Sequence, residues 1–128
     1  MTFITMGTCP WLIPLPMAVT QGFELFALLA MAHFFADFGL QNDRMAVEKC
    51  PGQDVTLPWQ WWLCSHAATH GLFVALLTGY PLLGLGEWLV HAVTDYAKCR
   101  QCFGLAVDQL LHLAAKLLWV GLAAACRY

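Results

Sequence analysis

The sequence predicts an all-α fold: an antiparallel four-helix transmembrane bundle preceded by an irregular apolar N-terminal segment. Three observations predict it. Hydrophobic residues make up 60% of the chain and charged residues 11%, against about 25% charged in an ordinary soluble domain. Polar loops divide the chain into four long apolar stretches. Each stretch carries one pair of ionisable residues at four-residue spacing: His33/Asp37, His66/His70, His91/Asp95 and Asp108/His112. Residues four apart share one face of an α-helix.

The elements follow in order. Residues 1–20 are apolar but contain Pro10, Pro14 and Pro16, which oppose a regular helix, so they read as an irregular or interfacial lead-in. The N-terminus has no Lys or Arg and so lacks the positive region of a cleavable signal peptide. A first helix is expected over residues 21–40, nearly all apolar from Phe23 to Phe38 apart from Glu24, His33 and Asp37. Residues 41–54 read as a solvated loop. Pro58 suits the first turn of a second helix, which runs through Trp59, Trp61 and Trp62 to about residue 77. Those tryptophans fit either an aromatic belt at a membrane boundary or core packing. Thr78, Gly79, Tyr80 and Pro81 form a turn. A third helix covers residues 82–97, short for a crossing that needs about 20 residues. Residues 98–101 form a tight turn, and a fourth helix covers 103–125. The 128 residues form one domain, with its core over residues 21–125.

Charge and cysteine content narrow the function classes. A net charge of -2 without a basic patch excludes nucleic-acid binding. Cys9, Cys64 and Cys126 lie in or beside apolar stretches, and Cys50, Cys99 and Cys102 in the polar loops. They read as ordinary reduced thiols. The Cys99/Cys102 CxxC is a weak signal for a second metal or redox site.

The four pairs are consistent with one another in depth. His33 and Asp37 lie near the end of the first helix, His66 and His70 near the start of the second, His91 and Asp95 near the end of the third, and Asp108 and His112 near the start of the fourth. In an up-down-up-down bundle all eight lie toward one membrane face. A rise of about 1.5 Å per residue separates the members of a pair by about 6 Å. Asp37, His66, Asp95 and Asp108 then form an outer layer, and His33, His70, His91 and His112 an inner one. Buried ionisable groups in a membrane are costly and mark function. The expected cofactor is one or two divalent metal ions, with two favoured by the number of donors. Imidazole and carboxylate donors suit zinc first, with manganese or iron as alternatives. The bland alternative is a buried polar network without metal.

Flanking residues extend the site. Glu87 and Lys116 fall one turn deeper than His91 and His112. They can form an ion pair, because neither charge is tolerable alone in hydrocarbon. Glu87 is alternatively a ligand, an outer partner of a histidine, or a general base; a Glu facing a lipid boundary is the bland reading. Gln41, one turn above Asp37, can hydrogen-bond a ligand or substrate, or can be a solvated helix end. Gln109 points about 100° away from Asp108 and ranks lower. Lys98 and Arg100 can hold an anionic substrate, although their charge is also explained by topology. Arg44, Lys49, Lys98 and Arg100 flank the site, whereas the other face offers Arg127 and the buried Lys116. The positive-inside rule then puts the site on the cytoplasmic side.

The string His33-Phe-Phe-Ala-Asp37-Phe-Gly-Leu-Gln41, with His66-x3-His70, His91-x3-Asp95-x2-Lys98 and Asp108-Gln109-x2-His112, resembles the domain-of-unknown-function family numbered 3307 over roughly residues 25–120. That resemblance implies a small bacterial or phage membrane protein, hence a bacterial inner-membrane location, and implies no reaction. A looser likeness to small membrane-bound metal-dependent hydrolases is an analogy.

The leading expectation is an integral membrane metal-dependent hydrolase acting on a phosphoester or lipid-linked substrate at the membrane interface. Its metals sit on the His/Asp cluster, Glu87 or Asp95 serves as catalytic base, and Gln41, Lys98 and Lys116 stand around them. Metal-ion binding or transport, a di-iron redox enzyme, and a structural interaction protein are the alternatives. Membrane lipid is the expected partner, with a homo-oligomer or partner membrane subunit as a further expectation.

Overall fold

The computed structural model describes residues 19–126. The irregular lead-in expected over residues 1–20 therefore lies outside the described residues apart from its last two, which open the first helix. Cys9 and Arg127 also lie outside them.

Among the described residues the chain is helical without strands. The long helices are α1 (Val19–Phe34), α3 (Trp59–Thr78), α4 (Pro81–Cys99) and α5 (Leu105–Ala125), with a short α2 (Asp43–Glu48) between the first two. The helix ends follow local chemistry. Pro81 occupies the first turn of α4, where its missing N–H is not needed. Gly79 ends α3 in the left-handed region at φ 76°, with its N–H donating to the Ala75 carbonyl at 3.0 Å.

Two local features depart from the sequence reading. Residues 41–54 are not simply a solvated loop, because they contain α2. Asn42 caps it, its side chain accepting from the Met45 N–H at 2.8 Å, which satisfies one of the donors a helix start leaves open. The first helix also does not stay α-helical to residue 40. Phe35–Leu40 is π-helical, closed by Gln41 N–H donating to the Ala36 carbonyl at 3.0 Å. Such turns are rare and recur at functional sites, and this one carries Asp37.

The four long helices touch in a closed ring: α1 against α3 and α5, and α4 against α3 and α5, with α2 on α3. The α3–α4 contact is the closest, and glycine permits it. A Cβ on Gly84 would stand 2.6 Å from both the Ala75 Cβ and the Gly71 carbonyl oxygen. Gly71 follows His70, and Gly84 lies two turns before His91, so this approach brings the two histidines together.

The interior changes character along its length. Leu25, Leu29, Val74, Trp119 and Ala123 form an apolar cluster at one end. Toward the α2 end the buried side chains are His33, His66, His70, His91, His112, Asp95, Asp108, Glu87, Lys116, Glu48 and Lys49. The outer faces are apolar, with Phe23, Met31, Phe38, Leu82, Leu89 and Leu110 each largely exposed.

Cys50 and Cys99 are not reduced thiols but form a disulfide, with Cα atoms 5.2 Å apart, inside the range a bridge allows. Formation of α2 carries Cys50 back over the end of α4, a proximity that a separation of 49 residues hides in the sequence. Cys64, Cys102 and Cys126 are free and exposed.

Two outcomes follow. Cys50→Ser should lower unfolding stability by about 2–4 kcal/mol for a loop of this size, read by denaturation in detergent. Gly84→Ala, whose methyl group meets helix backbone, should cost about 1–3 kcal/mol in the same assay.

Candidate metal centre

All eight residues of the four pairs meet at one level. The rings of His33, His70, His91 and His112 stand in contact, with centroids 3.7 Å apart for His70/His91, 4.0 Å for His91/His112 and 5.0 Å for His33/His70. His66 and the three aspartates lie on the side nearer α2.

Four of these residues enclose a small volume. Asp37 Oδ1 is 3.2 Å from His66 Nε2 and 3.1 Å from His70 Nε2, and His66 Nε2 is 3.3 Å from His91 Nε2. One donor atom from each of Asp37, His66, His70 and His91 lies within 4.8 Å of the others. Donors bound tetrahedrally to an ion at about 2.0–2.1 Å stand about 3.3 Å from one another. Three of the separations, at 3.1, 3.2 and 3.3 Å, are close to that edge. His70 Nε2 is buried, and the polar atom it approaches is Asp37 Oδ1.

Supporting residues fix which nitrogen faces inward. His91 Nδ1 lies 3.2 Å from Glu87 Oε1. An N–H there donates to the carboxylate and leaves the Nε2 lone pair free. On the other side Gln109 Nε2 donates to Asp37 Oδ2 at 2.8 Å, and Gln109 Oε1 lies 3.0 Å from His33 Nε2. His33 Nδ1 is 3.4 Å from His70 Nδ1. A proton on His33 Nε2 thus leaves His33 Nδ1 to accept from His70 Nδ1–H, freeing His70 Nε2. This is how outer partners orient histidine ligands.

A second group is His91, Asp95 and His112, with His112 Nε2 3.2 Å from Asp95 Oδ1 and 3.4 Å from Asp108 Oδ1. His91 belongs to both groups. Its Nδ1 faces Glu87, so only its Nε2 is available to either group. Asp95 Oδ2 lies 3.5 Å from His66 Nε2 and 3.8 Å from His91 Nε2, so this carboxylate borders the first group.

The charges are paired with one exception. Lys49 Nζ donates to Asp95, Lys98 Nζ to Asp108 at 2.8 Å, and Lys116 Nζ to Glu87, which also accepts from Trp119 Nε1. Asp37 meets no ammonium among the described residues, only imidazoles and the Gln109 amide. Glu87 is thus both the partner of Lys116 and the support of His91. Lys98 reaches down to the cluster instead of standing free. Gln41 Nε2 donates to the Asp37 carbonyl at 3.4 Å, which places it above the site.

Two residues escape the sequence reading. Gln109 ranks low there because it is rotated away from Asp108, yet α5 packs on α1 and that rotation aims it at His33 and Asp37. Lys49 carries no periodic signal, because it arrives from the end of α2 and not from a long helix. Its position next to a loop cysteine is the one cue the sequence offers.

Glu48 holds that approach. Its Oε2 accepts from the backbone N–H of Val55 at 3.1 Å and of Thr56 at 2.7 Å, from the Thr56 hydroxyl at 2.7 Å and from Trp62 Nε1 at 3.2 Å. Trp62 is therefore tied to this loop, whereas Trp61 is 69% exposed.

These features define a class: a small all-helical protein with a polar, histidine- and aspartate-rich interior and an apolar exterior. Residues 25–124 match the family described as "Protein of unknown function (DUF3307)", and the chain belongs to that family. Neither the curated proteins nor the solved structures contain a match. The family match spans every residue of the cluster.

Burial opposes the Glu48 charge, but the Thr56, Val55 and Trp62 donors outweigh it and hold the carboxyl down at about 2. The folded value is below the unfolded one, so its stabilisation is present above the ordinary glutamate range, near 4.5, and fades as pH falls toward about 2. Glu48→Gln should remove that acid-limb dependence, read as a shallower loss of thermal stability between pH 5 and about 2.

Proposed function

We propose that this protein is an integral-membrane metalloenzyme, an antiparallel four-helix transmembrane bundle that hydrolyses a phosphoester substrate at the membrane interface with one divalent cation held by Asp37, His66, His70 and His91. The observation that carries the reading is the convergence of those four donors, with Asp37 Oδ1 3.2 Å from His66 Nε2 and 3.1 Å from His70 Nε2, and His66 Nε2 3.3 Å from His91 Nε2.

The inverted distribution of polarity supports a bilayer. Gln21–Leu40 and Leu105–Ala125 are each long and apolar enough to cross a membrane, yet only 22% and 28% of their windows are buried within the protein. The core helix of a soluble protein is mostly buried. Contiguous apolar faces of this extent on a monomer call for a nonaqueous neighbour. α3 and α4 complete the bundle. Their histidine, aspartate and glutamate side chains are buried, as ionisable groups within a membrane are.

The count of charges favours one ion over two. Asp95, Asp108 and Glu87 already have ammonium partners, and Asp37 is the carboxylate left to neutralise a cation. Three nitrogens and one oxygen in near-tetrahedral spacing suit zinc, with manganese or iron as alternatives. A bound divalent ion acidifies water and polarises a phosphoryl oxygen. Asp95, bordering the donors, is placed to accept the proton of the attacking water. Glu87 and Gln109 hold His91 and, through His33, His70 in the required tautomers. An ion-carrier reading fits less well, because Glu87, Lys116 and Trp119 close the interior below the site and the apolar cluster follows.

Metal analysis of the full chain purified in detergent should find about one zinc, manganese or iron per chain. His70→Ala and Asp37→Asn should fall below about a tenth of that occupancy while keeping native helicity by circular dichroism. Asp95→Asn should keep the metal and lose phosphodiester hydrolysis by about 100-fold or more. Full occupancy in a folded His70→Ala protein would overturn the assignment.

A further inference from the structure

The cavity above the cluster has a lining unlike the cluster itself. It measures about 440 Å³, and its polar side chains are Gln41, Lys49, Gln53, Lys98 and Gln101. Neither carboxylate nor imidazole appears among them, although three aspartates lie just below. The Cys50–Cys99 bond forms part of the wall. The volume falls in the range of small-molecule sites, about 300–1,000 Å³.

The lining is chemically one-sided. An ammonium carries three donors. Among the described residues Lys49 spends one on Asp95 and Lys98 one on Asp108. Lys49 is only 5% exposed, so bulk water does not satisfy the rest. Gln41 supplies the opposite need. Its Nε2 is committed to the Asp37 carbonyl, which fixes the amide, and its Oε1 is buried with no donor among the described residues. The cavity thus offers spare cationic donors from two chain segments and one acceptor that lacks a proton.

We infer that this cavity binds a phosphate ester bearing a free hydroxyl group, its anionic oxygens on Lys49 and Lys98 and its hydroxyl donating to Gln41 Oε1. A tetrahedral oxyanion presents oxygens in several directions and can meet two ammonium groups from different sides, whereas a planar carboxylate presents two in one plane. The inference deepens the phosphoesterase reading and rests on it for the outcome of binding. Lys49 and Lys98 reach Asp95 and Asp108, so a phosphorus held between them stands above Asp95, the carboxylate that borders the donors.

Binding is read on the full chain in neutral detergent with chelator present, so that the lysines are tested apart from the metal. The probes are glycerol 1-phosphate, methyl phosphate, which has the same charge but no carbon-borne hydroxyl, and glycerol, which has no anion. Glycerol 1-phosphate should bind about tenfold or more tightly than either of the others. Lys98→Gln, at a partly exposed position that should still fold, should weaken it about tenfold or more, and Gln41→Ala should erase the preference over methyl phosphate. Displacement by phosphatidylglycerol in mixed micelles, with phosphatidylcholine inert, assigns the ester to a lipid headgroup; displacement by neither assigns it to a soluble ester, and the inference stands in both cases. No binding of glycerol 1-phosphate, or binding indifferent to both substitutions, overturns it. Metal occupancy measured on the same preparation reports separately on the metal centre.

Discussion

Charge neutralisation in an apolar interior organises this molecule. An unpaired carboxylate or ammonium in a low-dielectric medium costs several kcal/mol even after relaxation, and four carboxylates, Asp37, Glu87, Asp95 and Asp108, stand in or against the histidine cluster. Three are met by lysines from three different places: the end of α2, the end of α4 and the middle of α5. The fourth, Asp37, is met by imidazoles. That asymmetry singles out one corner of the cluster, where Asp37 meets His66 and His70.

Packing and electrostatics serve each other here. The glycine-lined approach of α3 to α4 sets His70 against His91. The packing of α5 on α1 sets Gln109 against His33 and Asp37. The π-helical turn carries Asp37 around the end of α1 toward His66 and His70. Each contact between helices thus contributes one edge of the polar cluster, and the apolar cluster at the other end holds the helices in register.

The parts legible in the sequence were those with a helical period. Four pairs at one spacing showed which residues face inward, and their positions along each apolar stretch showed that they share a depth. Composition showed that the exterior is apolar. What was not legible had no period. Lys49 enters from a six-residue helix too short to leave a pattern. Gln109 acts because of which helix lies beside it, a fact of tertiary packing. The π-turn differs from an α-turn by one hydrogen-bond register, and the Cys50–Cys99 pairing depends on α2 bringing Cys50 beside the end of α4. Glu87 was legible as an ion-pair partner of Lys116, but its simultaneous hold on His91 depends on side-chain geometry.

The cystine at the mouth of the cavity bears on which way the molecule faces. Lysine and arginine counts in the flanking loops point that mouth at the cytosol, yet two of those lysines are drawn inward as counter-ions for Asp95 and Asp108 and are poor reporters of loop charge. Glutathione and thioredoxin keep cytosolic thiols reduced, and a bridge between segments persists where those reductants are scarce. On the proposed bilayer placement, a chain that keeps this bond in the cell presents its opening to the outward leaflet, the reverse of what a simple tally of basic residues gives.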